Sequence, residues 1–449
     1  MGELFGTDGI RGRANCHPIT PEVALILGKA IAHVFQARGH GDRRALIGKD
    51  TRLSGYMLET ALTSGLVSMG MEVFLVGPLP TPAVAHLTRT MNADAGIMLT
   101  ASHNPFDDNG IKIFSRDGYK LRDEIEAEIE RHVLGGNLIS DHIRSDSLGK
   151  SYRVDDARGR YIEFAKSTVG NLDLTGMKVV LDCANGAAYQ IGPWIFKELG
   201  ADVVKTFADP DGFNINNGCG ALHPETVGRK VVGQGADIGV AFDGDADRVL
   251  FCDAAGRVVD GDRILGMCAL DMLQRKKLRN NTLVVTSMSN LGLVQAMEAR
   301  GIKVRATEVG DRHVIECMRR GGYNLGGEKS GHIIFSDYAT TGDGIVSALQ
   351  VMKMMRDRGQ TLAELADCFE EFPQRLESLP IREKKPLAEQ VTLAAAIASC
   401  RQGLGEDGRV IVRYSGTENK IRLLVEARRS EDVEFWIKRL AAAAEKDLN

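Results

Sequence analysis

The sequence lacks an apolar run that could cross a membrane, since no uninterrupted stretch of its 449 residues approaches about 18 apolar residues. Its net charge of −4 gives no overall basic field that would attract nucleic acid or an anionic membrane surface. No two of its eight cysteines lie closer than 16 positions, which excludes a CxxC redox motif and a local zinc knuckle. The start of the chain has no apolar signal segment. We therefore expect a cytoplasmic protein with reduced thiols and with neither nucleic acid nor membrane as a partner.

The sequence does contain a repeated order of elements. Three segments each predict a buried strand, a polar loop, an amphipathic helix, a glycine and a second strand. The glycines, Gly70, Gly200 and Gly301, stand where a helix commonly ends in a left-handed residue. They are 130 and 101 positions apart, which suits three α/β domains, and the last segment predicts a smaller α+β domain. The predicted domains are 1–153, 154–253, 254–368 and 369–449.

The loop "DGDADR" is the strongest chemical signal. Asp243, Asp245 and Asp247 alternate directly after the apolar strand predicted at 238–242, where open α/β sheets collect ligands. Three carboxylates so close together repel one another unless a cation neutralises them. Hard oxygen ligands favour Mg²⁺ over Ca²⁺ or Mn²⁺. A solvated acidic turn is the alternative interpretation.

The loop "TASHNP" places Ser102 beside His103 but lacks the Gly-x-Ser-x-Gly elbow of an α/β-hydrolase. A phosphate on Ser102 would supply an oxygen to the metal, so this serine is interpreted as a phosphate carrier. Phosphoryl transfer depends on charge neutralisation, for which Arg11 and Lys112 are cationic candidates. Two alternatives stay open: a purely structural His103, and a metal-independent Ser-His hydrolase acting on esters.

The loop "GGEKSGH" offers polar groups suited to a sugar. Glu328 and Ser330 have an acceptor carboxylate and a hydroxyl two residues apart, which suits vicinal hydroxyls, and His332 could move a proton. A glycine-rich turn without a ligand is the alternative interpretation.

The loop "RYSGTENKIR" offers groups suited to a phosphate. Guanidinium forks, hydroxyls and exposed backbone N–H groups are what a dianionic phosphate requires, and here they belong to Arg413, Ser415, Gly416, Thr417 and Arg422. A plain β-hairpin turn is the alternative.

Together with the opening "FGTDGIRG", these four loops resemble the α-D-phosphohexomutase superfamily in motif and in order, from position 4 to about position 425. Within it the chain most resembles the bacterial branch that interconverts glucosamine 6-phosphate and glucosamine 1-phosphate, on the way to UDP-N-acetylglucosamine and cell-wall precursors. The resemblance implies three similar α/β domains with mixed sheets and a smaller C-terminal α+β domain around a central cleft. It also implies a phosphosugar substrate.

The resemblance further assigns roles to individual residues. Ser102 would be the phosphoserine, and its phosphate would hold Mg²⁺ together with Asp243, Asp245 and Asp247. A hexosamine 1,6-bisphosphate would serve as activator and intermediate. The catalytic residues would be Ser102, His103, Lys112, Arg11 and His332, with Lys112 or His332 as acid or base. The substrate-binding residues would be Arg248, Glu328, Ser330, Arg413, Ser415, Gly416, Thr417 and Arg422.

Some alternatives remain open within the resemblance. Lys329 stands where the phosphomannomutase/phosphoglucomutase branch of the superfamily typically has methionine, and this difference favours the amino-sugar branch. A phosphomannomutase/phosphoglucomutase with the same mechanism is the competing interpretation. Tyr414 and Asn419 replace prolines common in relatives, which bears on the shape of the phosphate loop. A non-catalytic phosphosugar sensor is a remote alternative. The oligomeric state is open, with a homodimer as one option.

Overall fold

A computed structural model describes residues 2–6, 8–38, 42–136, 143–415 and 419–448. By its internal contacts the chain forms two compact units, Met1–Met288 with Gly301–Cys368, and Ser289–Arg300 with Phe369–Asn449. The strands form four sheets drawn from successive parts of the chain.

The first sheet has seven strands, and its central members are buried apolar runs. Strands β3 and β5 pair in parallel and are covered by helices, which is why they read as continuous hydrophobic segments. The sheet is mixed, since β5 pairs antiparallel with β6. Its order is β1-β2-β6-β5-β3-β4-β7. The elements are β1 Phe5–Gly6, β2 Gly9–Arg13, α1 Pro21–Ala37, β3 Arg44–Lys49, α2 Ser54–Ser68, β4 Glu72–Pro78, α3 Thr81–Thr90, β5 Ala95–Leu99, β6 Asp108–Ser115, α4 Asp123–Gly135 and β7 Ser151–Arg153.

The second sheet has five strands in the order β12-β11-β10-β8-β9. Strand β10 is fully buried and pairs in parallel with β8 but antiparallel with β11, so the chain turns back directly after β10. The elements are α5 Ala157–Ser167, β8 Lys178–Asp182, α6 Ile191–Glu198, β9 Asp202–Thr206, α7 Pro224–Gln234, β10 Ile238–Phe242, β11 Val249–Asp253 and β12 Val258–Val259.

The third sheet has four strands in the order β14-β13-β15-β16, again mixed. The elements are α8 Gly261–Gln274, β13 Thr282–Thr286, α9 Leu291–Ala299, β14 Lys303–Thr307, α10 Asp311–Gly321, β15 Leu325–Gly327, β16 Ile333–Phe335, α11 Gly344–Arg358 and α12 Leu362–Ala366. By its internal contacts, helix α9 belongs to the second unit. Within that unit the side chain of Gln295 donates a hydrogen bond to the carbonyl of Glu406 at 2.8 Å.

The fourth sheet is antiparallel, in the order β17-β19-β18, and two helices pack on it around a core of its own. Its elements are β17 Gln374–Pro380, α13 Val391–Leu404, β18 Gly408–Tyr414, β19 Lys420–Ala427 and α14 Ser430–Leu448. Short 3₁₀ turns occur at Ser145–Ser147, Gly220–Leu222, Arg279–Asn281, Leu387–Glu389 and Gly405–Asp407.

The predicted fold class is confirmed: three α/β parts with mixed sheets precede a smaller α+β part. Gly70, Gly200 and Gly301 have φ of 83°, 95° and 79°, so each has the left-handed conformation that its position predicted. The exact domain boundaries stay a prediction. All eight cysteines are free thiols. In the described part of the chain, no helix combines the length and apolarity of a membrane span.

Candidate active site

Ser102 lies in the loop between β5 and β6, with no exposed surface. Its backbone has φ of 51°, the left-handed region that residues other than glycine rarely adopt. In this conformation the Ser102 hydroxyl donates a hydrogen bond to Oδ2 of Asp243 at 2.6 Å. Nδ1 of His103 lies 3.3 Å from the same hydroxyl. The predicted phosphate carrier is therefore in direct contact with the predicted metal loop.

A fully buried arginine holds this loop in place. Arg52 follows β3, and its guanidinium donates to the carbonyls of Ser102 at 3.0 Å and Asn104 at 2.8 Å. It also donates to the carbonyls of Pro105 and of Asp108, the first residue of β6. Nε of Arg52 also donates to Asp50 at 2.9 Å, which balances its charge. Sequence reasoning missed Arg52. The polar stretch "KDTR" directly after a buried strand was the available signal.

Two residues of the second sheet's loops also hold the serine loop. Nδ2 of Asn216 donates to the carbonyls of Ser102 at 2.8 Å and Asn104 at 3.0 Å. Gly244 approaches so closely that a Cβ there would lie 2.5 Å from the carbonyl oxygen of Ser102. Only glycine allows this approach. The "DGDADR" motif therefore needs Gly244, as well as its three carboxylates, for the metal loop to pack against the serine loop.

The three aspartates form a compact, buried cluster. Asp243, Asp245 and Asp247 each present a carboxylate oxygen, and these oxygens all lie within 4.8 Å of one another. Oδ1 of Asp245 and Oδ1 of Asp247 are buried without a hydrogen-bond partner among the described residues. Buried carboxylate oxygens without hydrogen-bond partners, in a cluster of three aspartates, are costly without a cation, so the residues present fit a hard divalent metal ion.

The electrostatics of the cluster agree with this fit. Burial raises the pKa of Asp243 well above its usual range, and the neighbouring carboxylates Asp247 and Asp245 raise it further. Burial also acts to raise the pKa of Asp247, but Lys112 and then His332 lower it well below its usual range. The side chains around the cluster thus compensate part of its negative charge, and the uncompensated part favours a proton or a further cation at Asp243.

Lys112, on β6, is the central cation of the site. Its Nζ lies 3.0 Å from Asp245, 3.4 Å from Asp247 and 3.3 Å from Asp8. Burial acts to lower its pKa, but these three carboxylates raise it well above the usual lysine value. Lys112 is therefore held as an ammonium in this state of the site.

The contacts continue into a closed ring in which acidic and basic side chains alternate. Lys120 pairs with Asp8 on one side and with Asp311, at the start of α10, on the other. Nε2 of His332 lies 3.7 Å from Asp311, and its Nδ1 lies 3.6 Å from Asp247, which returns the ring to Lys112. The ring joins segments that are more than 300 positions apart in sequence, and Asp8, Lys120 and Asp311 were not singled out from the sequence.

A cavity of about 890 Å³ opens beside this ring. Burial, together with the nearby Arg248 and Arg11, lowers the pKa of His103 to about 4, so the imidazole is neutral. The predicted site residues on the cavity wall are Arg11, His103, Arg248, Glu328 and His332. The cavity is large enough for a phosphorylated hexose and offers cations, carboxylates and a neutral imidazole.

The "GGEKSGH" loop connects β15 to β16. Oε1 of Glu328 accepts the N–H of Gly310 at 3.1 Å, which fixes this carboxylate at the cavity wall. Ser330 is exposed and does not line the cavity, although its hydroxyl lies 3.5 Å from Glu328. Nζ of Lys329 lies 3.5 Å from Asp260, and Lys329 is not among the residues that line the cavity.

The predicted phosphate loop lies in the second compact unit. Arg413 on β18 and Arg422 on β19 are directly opposite each other in the antiparallel register, and neither makes an ion pair within the described ranges. Like charges placed opposite each other are destabilising, so an anion bound between them would be stabilising. Ser415 is buried, and its N–H donates to the carbonyl of Lys420 at 2.8 Å. Gly416 and Thr417 lie outside the described residues.

The fold and the site define a phosphohexomutase. Family models for the phosphoglucomutase/phosphomannomutase α/β/α domains I, II and III match residues 2–138, 159–256 and 260–372, and the model for the C-terminal domain of that family matches 360–443. A crystal structure of a phosphoglucomutase/phosphomannomutase family protein from Burkholderia thailandensis is similar, with a TM-score of 0.83 and 26% identity. The match covers 99% of this chain and 98% of that chain.

The curated relatives narrow the class further. The chain is 52% identical over 449 residues to a phosphoglucosamine mutase from Geobacter metallireducens and 51% identical over 449 residues to one from Pelobacter propionicus. Both matches cover 100% of this chain and 99% of the relative. The chain belongs to the phosphoglucosamine mutase family, which confirms the resemblance predicted from its loops.

Proposed function

We propose that this enzyme interconverts glucosamine 6-phosphate and glucosamine 1-phosphate, with a phosphate carried on Ser102. The observation that carries the proposal is the 2.6 Å hydrogen bond between the Ser102 hydroxyl and Asp243, at a triad of aspartates beside a cavity of hexose size. The ~50% identity to curated phosphoglucosamine mutases supports the amino-sugar substrate.

The proposed metal is Mg²⁺, held by Asp243, Asp245 and Asp247 together with a phosphate oxygen on Ser102. The buried oxygens of Asp245 and Asp247 that lack partners among the described residues support this assignment, because carboxylates and phosphate are the ligands that Mg²⁺ prefers. When bound, the ion would neutralise negative charge on the phosphoryl group during transfer.

In the proposed first step, a hydroxyl of the sugar phosphate attacks the phosphorus of phospho-Ser102. The new P–O bond forms as the P–Oγ bond breaks, the hydroxyl gives up its proton to a base, and Oγ of Ser102 takes up a proton. Lys112 and His332 are the two candidates for moving these protons. Arg11, Arg248 and the neutral His103 would hold the transferring group.

In the second step, the hexosamine 1,6-bisphosphate turns around, and Oγ of Ser102 attacks the phosphorus of its other phosphate. The P–Oγ bond forms as the P–O bond to the sugar breaks, Oγ gives up its proton to a base, and the sugar oxygen takes up a proton. The substrate's remaining phosphate must be held in both orientations. We assign this role to Arg413, Ser415, Gly416, Thr417 and Arg422, supported by the strand register that pairs Arg413 with Arg422.

The sugar hydroxyls would be held by Glu328 and Ser330. The position of Glu328 on the cavity wall supports its role, while Ser330 would have to turn inward when a ligand binds. A cytoplasmic location, the absence of nucleic-acid and membrane partners and a homodimeric state stay predictions.

The test is an assay with glucosamine 6-phosphate, Mg²⁺ and catalytic glucosamine 1,6-bisphosphate, compared with mannose and glucose phosphates. We expect the highest kcat/KM for glucosamine 6-phosphate. A preference for mannose or glucose phosphate would instead support the phosphomannomutase/phosphoglucomutase alternative. Intact-mass measurement should show one added phosphate that is lost in Ser102→Ala. Full turnover by Ser102→Ala would overturn the carrier role, and ester hydrolysis without metal would support the less favoured hydrolase alternative.

A further inference from the structure

A threonine outside the family-like loops contacts the metal cluster. Thr81 is the first residue of α3, with no exposed surface. Its hydroxyl donates a hydrogen bond to Oδ2 of Asp245, and its backbone N–H donates to the carbonyl of Asp245 at 3.0 Å. Two bonds from one residue therefore fix both the main chain and the side chain of Asp245.

These bonds decide which way the Asp245 carboxylate faces. Oδ2 accepts from Thr81 and from Nζ of Lys112 at 3.0 Å. Oδ1 is buried and has no hydrogen-bond partner among the described residues. A rotation about the terminal torsion of Asp245 would break both bonds to Oδ2, so the carboxylate is locked with Oδ1 available to a ligand.

Lys112 alone does not fix the orientation of the Asp245 carboxylate. Its ammonium is shared among three carboxylates, with Asp8 at 3.3 Å and Asp247 at 3.4 Å besides Asp245. It is also one of the two candidates for moving a proton during turnover. Thr81 is a neutral donor with a fixed position at the start of a helix, so its bond to Asp245 persists when Lys112 moves or changes partner.

We propose that Thr81 is a positioning residue of the metal site, which aims Oδ1 of Asp245 at the cation and so sets the affinity for the metal. The proposal rests on the proposed function, because it assumes that the aspartate triad binds the metal. Hydrogen-bond partners that orient metal ligands typically contribute about 10–100-fold to metal affinity. Thr81 is not among the residues that line the cavity, and its effect on the metal is transmitted through Asp245.

The same helix offers a matched control. Thr88 lies two turns further along α3, is equally buried, and its hydroxyl donates to the carbonyl of Val84 at 2.7 Å. Thr81→Val and Thr88→Val remove the same hydroxyl from the same helix with no change of shape, and only the first removes a bond to the metal loop. Thr81→Ser retains a hydroxyl at the site.

The test measures Mn²⁺ affinity by electron paramagnetic resonance, with the phosphorylation state of Ser102 matched by intact mass. We expect Thr81→Val to weaken Mn²⁺ binding by about 10-fold or more and to alter the spectrum of the bound ion. Thr81→Ser should stay within about 3-fold of the unsubstituted protein, and Thr88→Val should be unchanged. This pattern supports the proposal.

Three outcomes would overturn it. If the unsubstituted protein binds Mn²⁺ and Thr81→Val binds it with the same affinity, Thr81 does not position the metal ligand, while the assignment of the metal site still stands. Equal weakening in Thr81→Val and Thr88→Val assigns the effect to helix α3 as a whole. No saturable Mn²⁺ site in the unsubstituted protein removes the metal assignment itself. If Thr81→Val does not fold, as judged by circular dichroism, Thr81→Ala takes its place under the same criteria.

Discussion

Arg52 donates a hydrogen bond to the carbonyl oxygen of Ser102 at 3.0 Å from a position 50 residues earlier in the chain. The two residues follow neighbouring parallel strands, β3 and β5, whose carboxyl ends meet at one edge of the first sheet. The strained, left-handed backbone of Ser102 is thus held by the fully buried guanidinium of Arg52. Such strain persists only where the surrounding structure over-determines it.

We predict that Arg52→Met destabilises the protein and abolishes turnover. The substitution leaves the buried Asp50 carboxylate without its cation, although the hydroxyl of Thr100 still donates to it, and breaking a buried ion pair in this way typically costs about 3–5 kcal/mol. It also frees the loop that orients the Ser102 hydroxyl. Urea unfolding and the mutase assay measure the two effects.

The control for this variant is Arg13→Met. Arg13 is an exposed arginine whose nearest carboxylate, Asp107, lies 3.8 Å away, and exposed pairs contribute only about 0–1 kcal/mol. Equal stability of the Arg52→Met and Arg13→Met proteins would contradict the anchoring role.

Much of the site could be predicted because its chemistry is local in sequence. The alternating carboxylates from Asp243 to Asp247 follow one strand, so their convergence depends on five consecutive residues. The serine loop and the strand β10 were predicted on the same basis, and the structure places Ser102 against Asp243.

The remaining part of the site depends on contacts that no local pattern shows. Arg52, Asn216 and Thr81 are ordinary polar residues of turns and helix starts, and their partners lie 50, 114 and 164 positions away. The grouping of helix α9 with the C-terminal elements is non-local in the same way, since its own segment has the regular strand–helix–strand order. Only the assembled sheets bring these residues to their partners.

Gly244→Ala should damage catalysis more than stability. The added Cβ would lie 2.5 Å from the carbonyl oxygen of Ser102 and 2.8 Å from Nδ2 of Asn216, so the serine loop and the metal loop must separate. Misplacement of reacting groups by about 1 Å can reduce turnover by on the order of 100-fold. We expect a loss of that size in kcat, measured at saturating substrate and Mg²⁺.

Gly233→Ala provides the comparison. Gly233 lies in α7, and a Cβ there would meet no atom within 4 Å. Alanine in a helix is favoured over glycine by up to about 1 kcal/mol, so this variant should keep full activity and unfold at the same or higher urea concentration. Comparable kcat in the two alanine variants would show that the close approach of Gly244 is unimportant.

Removal of the metal should stop turnover without unfolding the protein. Chelation by EDTA is expected to abolish mutase activity, and Mg²⁺ should restore it better than the larger Ca²⁺. Asp245→Asn removes one ligand charge and should raise the Mg²⁺ concentration needed for half-maximal activity. The control is Asp209→Asn, at an exposed side chain, which should leave that Mg²⁺ concentration unchanged. An unchanged Mg²⁺ requirement in Asp245→Asn would discredit the triad as the metal site.

Lys120→Met should destabilise the protein in a pH-dependent manner. Lys120 bridges Asp8 and Asp311, and its loss removes the cation that these two largely buried carboxylates share. Asp8 keeps Arg11 and Lys112, so the cost should lie below the value of about 3–5 kcal/mol that is typical of an uncompensated buried charge. Burial acts to raise the pKa of both, but Lys112, Lys120 and Arg11 hold the pKa of Asp8 well below its usual range, and Lys120 lowers that of Asp311.

A carboxylate with a lowered pKa stabilises the folded state at pH values above its unfolded pKa, and this contribution is lost as the pH falls through the folded value. The stability difference between the unsubstituted protein and Lys120→Met should therefore be largest near pH 7 and shrink below about pH 4, near the usual pKa of aspartate. Urea unfolding from pH 7 to pH 3 measures it, with Lys120→Arg expected to recover part of the loss. A difference that stays constant over this range would mean that Lys120 contributes by packing and not through the charge it places between Asp8 and Asp311.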